Sequence, residues 1–339
     1  MVRKINSLQL RGHRWIVRMA VLGGVLVLSL PAFAGFVITP TFTSNFVTNF
    51  GSNAAAAEAA WIDAANIFET NFSDSIHVNI TVDGVAGTSV FGRSNTLLDL
   101  FSYSTMRNAL FADAKTADDA AAVGPGGSVS ATDPTGGAGK WWVTTSEAKA
   151  LGLIPDNLST DGTTTFGAGN PFTFSGPVAP GTFDFEGIAS HEISEVLGRL
   201  GISGRTIGTN ANSYSLIDLF SYTGASNRGL TPGAGEDFSI DNGTTLLKLY
   251  NNAAANGLDT RDWAPGTNDS FNQFSNSGVT NPVSNVDLRE LDVIGYDRVI
   301  SPEPASAIFL LLGLAALGGL RRKKQAKSTE FPYISPPLG

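Results

Sequence analysis

The sequence predicts one domain of mixed α/β (α+β) class over residues 35–298, with a twisted sheet and backing helices. Three observations predict it. Ser75 to Val82 alternates, with Ile76, Val78 and Ile80 on one side and His77, Asn79 and Thr81 on the other, which is the pattern of a half-buried strand. Ahead of it, Trp61, Ala64, Ala65, Phe68 and Phe72 recur at helical spacing. Further on, Gly187 to Arg199 reads as another helix, with Ile188, Val196, Leu197 and Leu200 placed to face a core. The 339 residues are 42% hydrophobic, enough for a core, while 15% charge and 38 glycines suit a loop-rich exported chain.

The two ends read as addresses. Residues 1–34 form a signal peptide: Arg3, Lys4, Arg11, Arg14 and Arg18 precede the apolar run Met19 to Leu30, and Pro31-Ala32-Phe33-Ala34 ends in a small-x-small site. Cleavage is expected after Ala34, because a run of about a dozen apolar residues is too short to span a bilayer. At the other end, Pro302-Glu303-Pro304 is followed by an uncharged apolar run, Ala305 to Leu320, and then by Arg321-Arg322-Lys323-Lys324. The run is near the lower limit for a transmembrane helix, and the basic cluster is expected to stay cytoplasmic. This order over 301–324 resembles the PEP-CTERM sorting signal. The resemblance implies a Gram-negative bacterium, export by the secretion machinery, and processing by an exosortase. The short polar tail 325–339 departs from that pattern. The region between is expected outside the inner membrane, in the cell envelope, at the surface or in the medium, with transient C-terminal anchoring.

Residues 35–320 hold twelve basic and twenty-nine acidic side chains, a formal charge of −17. That surface argues against nucleic acid as a partner and suits divalent cations. With no cysteine, disulfides, thiol catalysis and thiolate metal sites are excluded, so any metal must be held by His and carboxylates.

In chain order, Gly35 to Phe50 reads as an entering strand and loop, and Ala54 to Phe72 as a helix. Leu98-Asp99-Leu100-Phe101-Ser102-Tyr103 echoes Ile217-Asp218-Leu219-Phe220-Ser221-Tyr222, an echo without support from its neighbours. Thr105 to Val123 reads as one Ala-rich helix, and Gly124 to Gly139 as a loop. Lys140 to Thr145 is a short strand leading to a helix from Ser146, its expected cap. Trp141 and Trp142 are expected to pack rather than line a cleft. Asn157 to Gly181 reads as loop, Thr182 to Phe185 as a strand entering the His191 helix, and Gly201 to Asn212 as a polar loop. Phe238 to Tyr250 suggests a hairpin around Asp241-Asn242-Gly243. Ser284 and Asp287 form a capping-box pair before a closing helix that Gly295 ends.

The helix Gly187–Arg199 carries the chemistry. His191 and Glu195 are four apart, so they project from one face and both reach one ion. Glu192 lies about 100° around the helix, where it can hold a water at that ion. This is the arrangement of H-E-x-x-H with Glu195 in place of the second histidine. Gly198 keeps the glycine of the extended motif, but Gly201 stands where that motif has its last histidine. The His-Glu-Ile-Ser-Glu run, Asp218-Leu219-Phe220-Ser221-Tyr222 and Leu291-Asp292-Val293-Ile294-Gly295-Tyr296 together resemble zincin-like metalloproteases carried by bacterial PEP-CTERM proteins. The resemblance implies a zinc-dependent metallopeptidase acting on a peptide or protein substrate, with Glu192 catalytic and His191 and Glu195 as metal ligands. It also implies a third ligand from further along the chain. Asp218, 27 residues after His191, is the first candidate, and Tyr222 is a second, as ligand or oxyanion donor. Asp262 and Asp269 are alternatives that complete the site or bind calcium. Asp184 or Glu186 would orient His191, or serve as helix-start acids. His77 is expected on the solvent side of its strand. The alternative is a non-catalytic surface or matrix protein, a pseudo-protease or a calcium-stabilised adhesion module.

Overall fold

The computed structural model describes residues 35–231, 235–251 and 259–299. The predicted signal peptide at 1–34, the sorting signal at 301–324 with its apolar segment 305–320, and the tail 325–339 lie outside the described residues. Among the described residues no helix is long and apolar enough to cross a membrane.

The chain enters on β1 (Val37–Phe42), passes through α1 (Ser44–Phe50) and α2 (Ala54–Asn71), and returns on β2 (His77–Val85). β1 and β2 are parallel, and the two helices supply the crossover that a parallel pair requires. β2 alternates as its sequence dictates: Val78, Ile80 and Val82 are buried, while His77, Asn79 and Thr81 are only half-buried. Small residues Ala57, Ala60 and Ala64 on α2 are buried beside Trp61 and Phe68, and Trp61 Nε1 donates to Thr164 Oγ1 at 3.1 Å.

β3 (Gly92–Thr96), β4 (Leu98–Phe101), α3 (Tyr103–Asp113) and α4 (Ala117–Val123) follow. The single helix expected over Thr105 to Val123 is thus two. Thr116 and Asp119 form a capping box that satisfies the first N–H groups of α4, so a new helix starts there. β5 (Lys140–Thr144) runs into α5 (Thr145–Ala150), capped by Thr144 with Glu147 rather than by Ser146. Ser146 Oγ instead donates to Val196 O, at the end of the motif helix.

β6 (Thr160–Gly167) corrects the expected loop. Its run Thr-Asp-Gly-Thr-Thr-Thr-Phe-Gly carries one large apolar residue, yet it is an inner strand of the main sheet, ordered β1-β2-β6-β3. Tight packing asks for that composition, since a methyl added to Gly162 would come within 2.7 Å of Val196 Cγ2. β1, β2 and β6 are parallel; β3 pairs antiparallel with β6 and is an edge strand among the described residues.

After β7 (Phe172–Thr173) and β8 (Phe183–Asp184), which pair parallel, comes the motif helix α6 (Phe185–Val196), packed beside α2 and against β6 and β3. The polar loop expected at Gly201 to Asn212 contains the paired strands β9 (Arg205–Ile207) and β10 (Asn210–Ser215) of a second sheet, ordered β4-β5-β10-β9. A 3-10 turn, Ile217–Phe220, leads to a small third sheet of β11 (Ser221–Gly224), β12 (Asn227–Arg228), β13 (Asp237–Phe238) and β14 (Lys248–Leu249). β13 and β14 are antiparallel across the segment holding Asn242 (φ 56°) and Gly243 (φ 78°), as the hairpin reading expects. The echoed hexapeptides share no structure, one being strand and the other a 3-10 turn. α7 (Asn285–Val293) opens at Ser284, whose N–H donates to Asp287 Oδ2 at 2.6 Å, and Gly295 at φ 121° follows its end.

Candidate metal centre

α6 buries Ile188, Ala189, Ile193 and Val196, which turns His191, Glu192 and Glu195 toward a cleft of about 520 Å³. One wall is the edge strand β3 with Phe91, Gly92 and Ser94; the other comes from Asp262 and the segment Asp269 to Ser275.

His191 Nε2 lies 3.5 Å from Glu195 Oε1 and 3.5 Å from Asp262 Oδ1. The three ligand atoms fall within 4.8 Å of one another. Distances of 3.5 Å are too long for good hydrogen bonds. They match the edge of a tetrahedral site: with bonds of about 2.0–2.1 Å, two ligand atoms sit about 3.4 Å apart. His191 Nδ1 is held by the Ser270 carbonyl at 2.8 Å, which directs Nε2 at the two carboxylates. Glu195 Oε2 accepts from Ser94 Oγ at 2.6 Å. The residues present therefore fit a divalent metal.

Arg199 sits behind this trio with its guanidinium fully buried. It donates to Asp262 Oδ1 and, at 2.8 Å, to Ser194 Oγ, and its carbon stacks 4.6 Å from the Phe271 ring centroid. Burial and Arg199 push His191 down, but Asp262 and Glu195 outweigh them and leave the imidazole up at about 9. Burial acts to raise Glu195, yet His191, Arg199 and Ser94 hold it at about 2. Glu192 moves the other way, pushed up by burial and by the charge of Glu195. Its Oε2 is buried without a hydrogen-bond partner, and its side chain packs against Gly92, where a methyl would lie 2.9 Å from Glu192 Cδ.

Of the residues singled out from sequence, His191, Glu192 and Glu195 come together. Asp218 does not join them. Its carboxylate is buried and saturated by Ser203, Ser215 and Arg261, with Arg261 Nη2 at 2.8 Å. Asp262 is the residue grouped with His191 and Glu195 instead. Tyr222 is buried in the third sheet under the Arg228 guanidinium, outside the cleft lining. Asp269 lines the cleft but is paired with Lys248 and the Phe271 N–H. Asp184 accepts from the Asn281 N–H, and the orienting partner of His191 is Ser270 rather than Asp184 or Glu186. His77 bonds Asp156 at 2.8 Å on the solvent side of β2. Trp141 is core, and Trp142 donates to Ser213. Ser94, Arg199 and Ser270 carry no sequence signal beyond Arg199 lying one turn after Glu195.

No curated protein and no solved structure matches this chain. The PEP-CTERM protein-sorting motif matches residues 302–324. The protein is thus of the exosortase-sorted bacterial kind, exported and directed to the cell surface or exterior, with a C-terminal anchor before processing.

Proposed function

We propose that this protein is a surface-sorted zinc-dependent peptidase whose metal is held by His191, Glu195 and Asp262. The observation that carries the reading is the pair of 3.5 Å separations from His191 Nε2, longer than good hydrogen bonds and of the length that two ligands of a shared ion keep. When bound, zinc would supply a polarising charge and an acidified water, and a positive field that would favour the carboxylate form of Glu192. Glu192 then accepts the proton of the attacking water and passes it to the departing amine. A peptide is favoured as substrate because, among the described residues, β3 is paired on one side only and its residues 92–94 line the cleft, so an extended chain can add to that edge.

One observation favours a second reading, a non-catalytic surface protein. The Arg199 guanidinium bonds Asp262 Oδ1 and lies 3.8 Å from Glu195 Oε1, where it can balance these carboxylates without an ion. Metal analysis separates the two. The peptidase reading expects about one zinc per chain in the full-length protein, lost in His191→Ala and in Asp262→Ala. Glu192→Gln should keep the zinc and lose about a thousandfold in peptide hydrolysis. A protein with no zinc, or a Glu192→Gln variant at full activity, would favour the second reading.

A further inference from the structure

A carboxylate in place of the second histidine creates a problem that imidazole does not. Imidazole presents one lone pair to an ion. A carboxylate has two oxygens, and if both close on the same ion they occupy the position that catalysis needs open. The two oxygens of Glu195 have different surroundings here. Oε1 faces His191 Nε2 at 3.5 Å, with Arg199 Nη2 at 3.8 Å. Oε2 is taken by the Ser94 hydroxyl at 2.6 Å. Ser94 is well anchored: it belongs to β3, opposite Thr164 of β6, and Thr96 of the same strand donates to the Glu195 carbonyl at 3.4 Å. Alternation along the strand sends Ser94 and Gly92 to the helix side, where Gly92 meets Glu192.

We propose that Ser94 is a positioning residue that confines Glu195 to one metal-facing oxygen, Oε1. The inference rests on the metal site proposed above and adds to it the device that keeps a glutamate-for-histidine site open. It also links the substrate-binding edge to the metal, since the strand that would receive the peptide holds the ligand's second oxygen.

The test uses cobalt(II), which reports coordination number through its visible absorption, on the full chain purified in detergent. The native protein should give the strong absorption of a four-coordinate ion. Ser94→Ala removes one hydroxyl and should bind cobalt at least as tightly, while its absorption intensity falls by about half or more as Oε2 joins a five-coordinate site. Its kcat should fall with KM little changed. Ser94→Thr keeps the hydroxyl and should restore the native spectrum. A Ser94→Ala spectrum and affinity equal to native would overturn the role of Ser94 and leave the site standing. Weaker cobalt binding in Ser94→Ala would also overturn it, because the hydroxyl would then support binding rather than limit it. No cobalt spectrum in the native protein would overturn the site and this inference together.

Discussion

Gly92 sets the clearance between the edge strand and the Glu192 carboxylate, the proton acceptor of the proposed peptidase. A methyl there would stand 2.9 Å from Glu192 Cγ and Cδ, so the side chain must shift. Gly92→Ala is expected to lower kcat by about 10–100-fold, since a misplacement of about 1 Å at a reacting group costs on that order. Zinc content and melting temperature should stay near native, because the neighbour that yields is a side chain in a cleft. At this scale His191, Glu192 and Glu195 were legible in the sequence, because spacing within one helix fixes which residues share a face. Asp262 was only one of several acids to weigh. Its place depends on a loop that returns to α6 from 63 residues beyond Arg199, and spacing along the chain does not encode that return. Ser94 was invisible for the same reason, being 101 residues from its partner.

The loop that presents Asp262 is itself clamped. Arg261, the preceding residue, is fully buried between Asp218 and Glu236, at 2.8 and 3.0 Å. Asp218 thus anchors Arg261, the residue beside Asp262, from the end of the second sheet. Removing one partner of a buried ion pair leaves the other uncompensated. Asp218→Asn is therefore expected to cost about 3–5 kcal/mol in chemical denaturation. The strand β2 and helix α2 were legible because burial imposed clean periods of two and of 3.6. β6 was not, because a strand packed under a helix on Gly162 and bonded through Thr164 has little apolar periodicity to show. The break between α3 and α4 was signalled by Thr116 and Asp119, a capping box that alanine-rich flanks hid.

At the scale of the whole molecule, the final described segment closes onto the start of the domain. Phe72 bridges Arg298, and the Ser73 N–H bonds the Asp297 carbonyl. Carboxylates gather at this seam. Burial first, with Asp297 second, pushes Asp74 up to about 7 and Asp113 to about 6, and burial with Asp119 brings Asp292 to about 7. Lys115 pairs with Asp113 and Asp297 and offsets part of the repulsion. A carboxyl raised in the folded state favours folding while it keeps its proton. That contribution is complete below the unfolded value near 3.8 and is lost as pH rises through about 6 to 7. Thermal unfolding in a chelator should therefore show a melting temperature higher by several degrees at pH 5 than at pH 8. Asp74→Asn with Asp292→Asn should flatten that slope.

The buried guanidinium of Arg199 also bears on timing. Small zinc domains stay unfolded until their ion arrives, because nothing else neutralises their ligands. Here a cation just past the end of α6 already stands against Asp262, so that carboxylate is neutralised without an ion. For the metal site proposed above, folding and ion uptake would then be separate events, in that order. A chain exported across the inner membrane could reach its final shape empty, and draw an ion afterwards from whatever the surroundings supply.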